Sequence, residues 1–295
     1  MKPTPIVQSI KLRDGREITI ETGVLAKQAN GSVVLRMGNT MLLATVVANK
    51  THKEGTDFLP LSVDYQEKFA SNGKIPGGFL KREGRLSDYE ILVSRLIDRA
   101  LRPIFPDDFH ADVQVAVTMI SADFNALPDA LAGLAASAAI MVSDIPFNGP
   151  ISEVRVIKKN GTLIVNPTSV ELEGADLELI VAGTAKDILM VEGEMNEVSE
   201  DEMLEAIIFA HDEIKVQCLA QIEFMKKAGK EEKFAYVHET HDLDLKMAMT
   251  EALYDKVYVV DKTGTPNKND RKVMFGAIKE EYIATLEPEK KKKKA

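Results

Sequence analysis

Between residues 73 and 105 the chain reads GKIPGGFLKREGRLSDYEILVSRLIDRALRPIF, and no other stretch gathers so much side-chain chemistry suited to one kind of ligand. Phe79, Leu80, Lys81 and Arg82 follow the pair Gly77–Gly78. A ring can stack on a base, cations hold a phosphate backbone, and glycine lets a main chain come close to what it binds. Further on, Arg95, Arg99 and Arg102 stand at i, i+4 and i+7, the spacing of one helical face. The whole chain carries a net charge of −9, yet residues 74–102 hold more Lys and Arg than Asp and Glu. A basic island on an acidic body argues against indiscriminate binding of polyanions and for one confined anionic site. On the residues alone two plainer readings stay open. Phe79 to Arg82 would also suit a solvated turn, and Asp98 lies where it could pair with Arg95 or Arg102.

The remaining candidates are weaker. His238 and His241 lie three apart, but no acidic or cysteine ligands accompany them, so no metal site is expected there. Cys218 falls on the apolar face of a predicted helix and reads as packing. The chain has no Walker sequence, no GxSxG, no HExxH and no dinucleotide-binding fingerprint. No pair of aspartates sits at a strand end in a manner suited to magnesium. Asp176 and Glu178 alternate into a predicted strand, where one of them should face solvent.

These residues need a scaffold. The 295 residues, 45% hydrophobic and without tryptophan, suffice for an aliphatic core in one large or two smaller domains. The first fifty residues are β-branched and punctuated by glycine, and 57–66 reads as a further extended segment containing a proline. The arginine row predicts a helix over 88–101, stopped by Pro103. Residues 113–121 alternate like a half-buried strand, and 130–142 read as a buried helix of small residues, too short to span a bilayer. Asn160-Gly161 between two apolar runs predicts a hairpin. Residues 177–182 and 188–191 add two strands. Ser199 and Glu202 form a capping box for a helix running to about Lys227. Past residue 243 the pattern becomes helical around a polar loop, and Lys290–Lys294 is a solvated charge run. The outline is an α+β core over 1–235 followed by a small all-helical domain over 236–295. A single cysteine and the lack of an apolar leader in MKPTPIVQSI point to a reducing, cytoplasmic setting.

Several of these segments resemble the bacterial polynucleotide phosphorylase family. They run from DGREITIETG through QANGSVVLRMGNTMLLATVV, DFLPLSVDYQEKFASNGKIPGGFLKREGR, SRLIDRALRPIFP, SDIPFNGPI and LELIVAGT to SEDEMLEAIIFAHDEI. The similarity covers about residues 6–230, with a weaker match to the family's all-helical domain beyond. It implies an RNase PH-like α+β core domain, of the fold shared with a ribosomal S5 domain, from the N-terminal half of a longer protein. That family shortens RNA from its 3′ end with inorganic phosphate, releases nucleoside diphosphates, requires Mg2+, and forms homotrimeric rings around a channel for single-stranded RNA. Degradosome-type RNA-decay partners are implied as well, and no membrane.

By position, the resemblance places Phe79-Leu80-Lys81-Arg82 on the family's channel loop, usually two aromatics and two basic residues. Leu80 replaces an aromatic and Lys81 an arginine, which removes one stacking ring and one planar fork. Arg95 and Arg99 match arginines lining the RNA and phosphate path, and Arg102 is a further candidate phosphate contact. The family's catalytic aspartates belong to its second core domain. Asn166 and Leu172 stand at the matching places here, so this chain is expected to hold neither catalytic residues nor metal. The competing reading is a non-catalytic RNA-binding ring subunit of an exosome-like assembly.

Overall fold

The computed structural model describes residues 4–53, 55–79, 81–123, 125–238 and 242–286. Leu80, His241 and the lysine run at 290–294 lie outside the described residues. The chain divides into two compact units, residues 1–238 and 239–295.

The first unit opens with four strands, β1 (Ile6–Lys11), β2 (Glu17–Thr22), β3 (Gly31–Met37) and β4 (Thr40–Ala48). They form an antiparallel meander. β5 (Leu61–Glu67) leads through a long loop into α1 (Asp88–Leu101), and β6 (Val113–Ser121) returns parallel to β5 and antiparallel to β4. Parallel neighbours require a crossover, and α1 with its preceding loop is that crossover. The proline expected inside this strand lies just before it. Pro60 has no N–H for a ladder, yet its carbonyl accepts the Val113 N–H at 3.0 Å.

A second antiparallel sheet, ordered β10-β9-β7-β8, comprises β7 (Ser152–Lys159), β8 (Thr162–Val165), β9 (Leu177–Gly183) and β10 (Ile188–Met195). Asn160 and Gly161 both take positive φ, 50° and 75°, which is the backbone that a two-residue hairpin demands. β10 runs four residues beyond the expected Val191, because Glu192 to Met195 still pair with β9 through the main chain while their side chains face outward.

Between the sheets lies α2 (Pro128–Met141), buried from Asp129 to Met141 and packed on β3, β4 and β6 on one side and β7 on the other. Alanine and glycine make that fit possible. A Cβ on Gly31 of β3 would meet the Ala139 carbonyl of α2 at 2.0 Å. The aliphatic core follows from this sandwich, with Leu35, Leu42, Val115, Val117, Leu134 and Ile140 essentially inaccessible. α3 (Ser169–Leu172) is a single turn. α4 (Glu200–Lys227) starts at the Ser199–Glu202 capping box and buries Ala206, Ala210, Ile214 and Cys218 against the second sheet. The chain then returns along the first unit. Tyr236 and His238, which fall in the span expected for the helical domain, instead contact Phe109 and Asp108.

The second unit is a hairpin of α5 (Leu243–Lys262) and α6 (Lys268–Thr285), joined at 263–267 and linked by Lys256 to Glu281 at 2.8 Å. Both helices are longer than the short segments the sequence suggested.

Candidate nucleic-acid interface

The loop leaves the carboxyl end of β5 through a short 3-10 turn, Phe69–Asn72, and ends at Ser87, the cap of α1. Ser87 accepts the Glu90 N–H while the Glu90 carboxylate accepts the Ser87 N–H, so the helix start is fixed from both sides. At the loop tip Phe79 is 100% exposed, a placement that costs apolar hydration and has no return within this unit. Lys81 takes φ 51° and donates its N–H to the Gly78 carbonyl at 3.0 Å, closing a tight turn. Among the described residues, the side chains of Lys81 and Arg82 have no hydrogen-bond or ion-pair partner and are exposed. A Cβ on Gly77 or Gly78 would meet nothing within 4 Å, and neither has a positive φ. The chain's own packing therefore does not require these glycines.

Arg95, Arg99 and Arg102 all line one cleft of about 490 Å³ between α1 and β5, together with Ser62, Asp64 and Asp98. The helix brings the row together, but the three heads differ. Arg102 donates to both Asp98 carboxylate oxygens, at 3.1 and 2.6 Å, and to the carbonyls of Leu59 and Leu61 at 3.0 and 3.2 Å. That engages four of its five N–H groups in tying α1 to the start of β5. Arg99 is ion-paired with Glu192 of β10. Arg95 is exposed and has no polar partner among the described residues. Of the two explanations left open by spacing, local pairing thus accounts for Arg102 and leaves Arg95 available to a ligand.

A second polar cluster was not singled out in the sequence. Arg155 on β7 is ion-paired with Asp129 at the start of α2 and with Glu178 on β9, and Tyr89 of α1 donates to Asp129 at 3.2 Å. Of Asp176 and Glu178, Asp176 is the exposed one. Tyr89, Asp129, Arg155 and Glu178 border a cleft of about 340 Å³. Beside them Glu153 is buried against Gly133, and neither carboxylate oxygen has a partner. Burial first, then the Asp129 charge, pushes its carboxyl well above the usual range. The available signal was Glu153 and Arg155 at alternate positions of a valine-rich strand, hence on one face.

Asn166 is buried in the left-handed region at φ 45°, with its Oδ1 accepting the Arg155 N–H at 3.1 Å. Leu172 ends α3. Neither position offers an oxygen cage, and no group of three or more His, Cys, Asp or Glu among the described residues could hold a metal ion. Asn166 and Leu172 themselves do not fit Mg2+.

Comparison with known proteins is consistent with this architecture. Residues 14–146 match the 3′ exoribonuclease family, domain 1, and residues 149–213 match domain 2 of the same family. The chain is 63% identical over 283 residues to the polyribonucleotide nucleotidyltransferase of Cytophaga hutchinsonii, covering 96% of this chain and 40% of that protein. It is 58% identical over 290 residues to the enzyme of that name from Bacteroides fragilis, covering 98% of this chain and 41% of the relative. The chain thus spans about 40% of the length of these relatives. A solved chain of the Archaeoglobus fulgidus exosome, with RNA bound to its active site, shares the fold at a TM-score of 0.54 and 15% identity over 72% of this chain and 92% of that chain. The two domain matches, together with the polyribonucleotide nucleotidyltransferase relatives that align along nearly its whole length, show that the chain belongs to the 3′ exoribonuclease family.

Proposed function

We propose that this chain is the strand-guiding part of a phosphorolytic 3′-to-5′ exoribonuclease, in which RNA and inorganic phosphate give shortened RNA and a nucleoside diphosphate. The carrying observation is a fully exposed Phe79 beside two cations, Lys81 and Arg82, that have no partners among the described residues. A ring and cations without internal partners are what a sequence-tolerant single-strand site requires. Arg95, on the cleft below, is the next phosphate contact, and Arg99 joins it when a phosphate displaces Glu192. Arg102 holds α1 against β5.

Bond breaking belongs to a second core domain that this chain does not include, where Mg2+ would stabilise charge on the transferring phosphoryl group. This chain's residues bind and orient the strand so that one linkage at a time reaches that centre. The assembly is a homotrimer in the cytoplasm, with degradosome-type partners. Among the described residues no helix is long and apolar enough to cross a membrane. The core domain, expected over 1–235, takes in Tyr236 and His238 as well, and the helical domain, expected over 236–295, follows it.

The experiment is binding of a short single-stranded RNA to the chain and to its Lys81→Ala/Arg82→Ala variant across a salt series. The log–log slope should fall by about 0.7 for each phosphate that is no longer neutralised. An unchanged slope would mean that the loop does not touch RNA.

A further inference from the structure

We infer that Glu83 is the clasp that presents the Phe79–Arg82 tip, a positioning residue for strand capture; this rests on the reading of that loop proposed above. Glu83 stands immediately after Arg82, and no other acid occurs between Glu67 and Asp88. An uncompensated carboxylate beside Lys81 and Arg82 would repel the phosphates that the tip is built to attract. The structure turns that charge away. One Glu83 oxygen accepts the Phe69 N–H at 2.9 Å, and the other accepts from Lys68 Nζ at 2.9 Å. Lys68 Nζ also donates to Gln66 Oε1 at 2.8 Å. The Lys68 bond and the Phe69 N–H hold the Glu83 carboxyl below its usual range, so the clasp stays charged at neutral pH.

The clasp joins the two stems of the loop. On the entering side, Lys68 N–H donates to Met119 O at 3.3 Å and Ala122 N–H to Ser71 O at 3.2 Å, which moors the start of the loop to β6 and its end. On the leaving side, Glu90 accepts the Glu67 N–H at 2.7 Å while capping α1. Two glutamates seven residues apart thus fasten the departing stem to the end of β5. Beyond them the tip is held only from its base. Ile75 is 86% and Phe79 100% exposed, and no described side chain from 74 to 82 makes a hydrogen bond or ion pair. What orients such a tip is the closure at its stem, and Glu83 is the closure nearest to it.

The test uses Glu83→Ala, Lys68→Ala and the conservative Glu83→Gln, which keeps an acceptor for the Phe69 N–H. Two readouts are compared at matched thermal stability: the rate of tryptic cleavage after Lys81 and Arg82, and the affinity for a short oligouridylate. Glu83→Ala and Lys68→Ala should speed cleavage and weaken RNA binding about three- to tenfold, as expected if the competent pose falls to roughly a third to a tenth of the population. Glu83→Gln should lie between them and the parent. The salt slope should stay unchanged, because every cation that meets a phosphate is still present. Unchanged cleavage refutes the clasp whatever happens to RNA binding. Faster cleavage with undiminished affinity refutes the positioning role. Lys81→Ala/Arg82→Ala in the same binding assay then reports separately whether the loop touches RNA at all.

Discussion

Arg95→Ala and Arg102→Ala should separate a ligand-binding cation from a structural one although the two lie seven residues apart on one helical row. The Arg95 head has no polar partner among the described residues. Its removal leaves one phosphate without a counter-charge, lowering the salt slope by about 0.7, so that a tenfold change in salt alters affinity about fivefold less than in the parent. Stability should move by no more than about 0.5 kcal/mol, because an exposed helical site accepts alanine well. Arg102 is 44% exposed and pairs with Asp98 while donating to two main-chain carbonyls. Screening leaves the ion pair about 0–1 kcal/mol, and each further hydrogen bond contributes about 0.5–1 kcal/mol when half-exposed. Arg102→Ala should therefore cost roughly 1–3 kcal/mol and lower Tm by about 2–12 °C, with the slope unchanged. Fluorescence anisotropy with labelled oligouridylate gives the slopes, and thermal melting gives the stabilities. A lower slope at constant Tm in Arg102→Ala, or a lower Tm at constant slope in Arg95→Ala, would refute this division of roles.

Phe79→Ala should weaken single-strand binding by about 1–3 kcal/mol while leaving the salt slope intact, and Phe79→Tyr should retain most of the affinity; equal losses in both would argue against stacking. Burial, then the Asp129 charge, holds the Glu153 carboxyl well above the ordinary carboxylate range in the fold, so between the ordinary and the raised value the unfolded chain binds fewer protons. The contribution of Glu153 to stability therefore falls as pH rises from about 4 through the raised folded value. In urea unfolding, Glu153→Gln should remove that decline, and parallel pH curves for parent and variant would contradict it. Supplied with RNA, phosphate and Mg2+, the chain alone should release no nucleoside diphosphate, and clear turnover would overturn the placement of the catalytic centre elsewhere.

Local signals were legible where neighbours in sequence are neighbours in space. The arginine row and the proline after Arg102 marked α1, which runs over Asp88–Leu101 as expected. Asn160-Gly161 marks the β7–β8 turn, and Ser199–Glu202 starts a helix that ends at Lys227. Long-range partners were not legible. Arg102 reaches carbonyls some forty residues earlier, and Arg99 meets Glu192 across 93 residues, so spacing along α1 could not separate paired arginines from unpaired ones. The Arg155 cluster is drawn from a helix, another helix and two strands. Its residues are unremarkable until the second sheet folds beneath α2. The extension of β10 escaped notice because its last residues are charged, and an edge strand is held by its backbone whatever its side chains.

At the centre of the proposed function, the tip at 79–82 and Arg95 grip a single RNA strand. The most direct measurement is photocrosslinking of a 4-thiouridine-substituted single-stranded RNA to the chain, with the adducts located by mass spectrometry. Adducts at Phe79 and its basic neighbours, abolished in Lys81→Ala/Arg82→Ala, are the predicted result. Adducts confined to other surfaces, with residues 79–82 unmodified at saturating RNA, would contradict it.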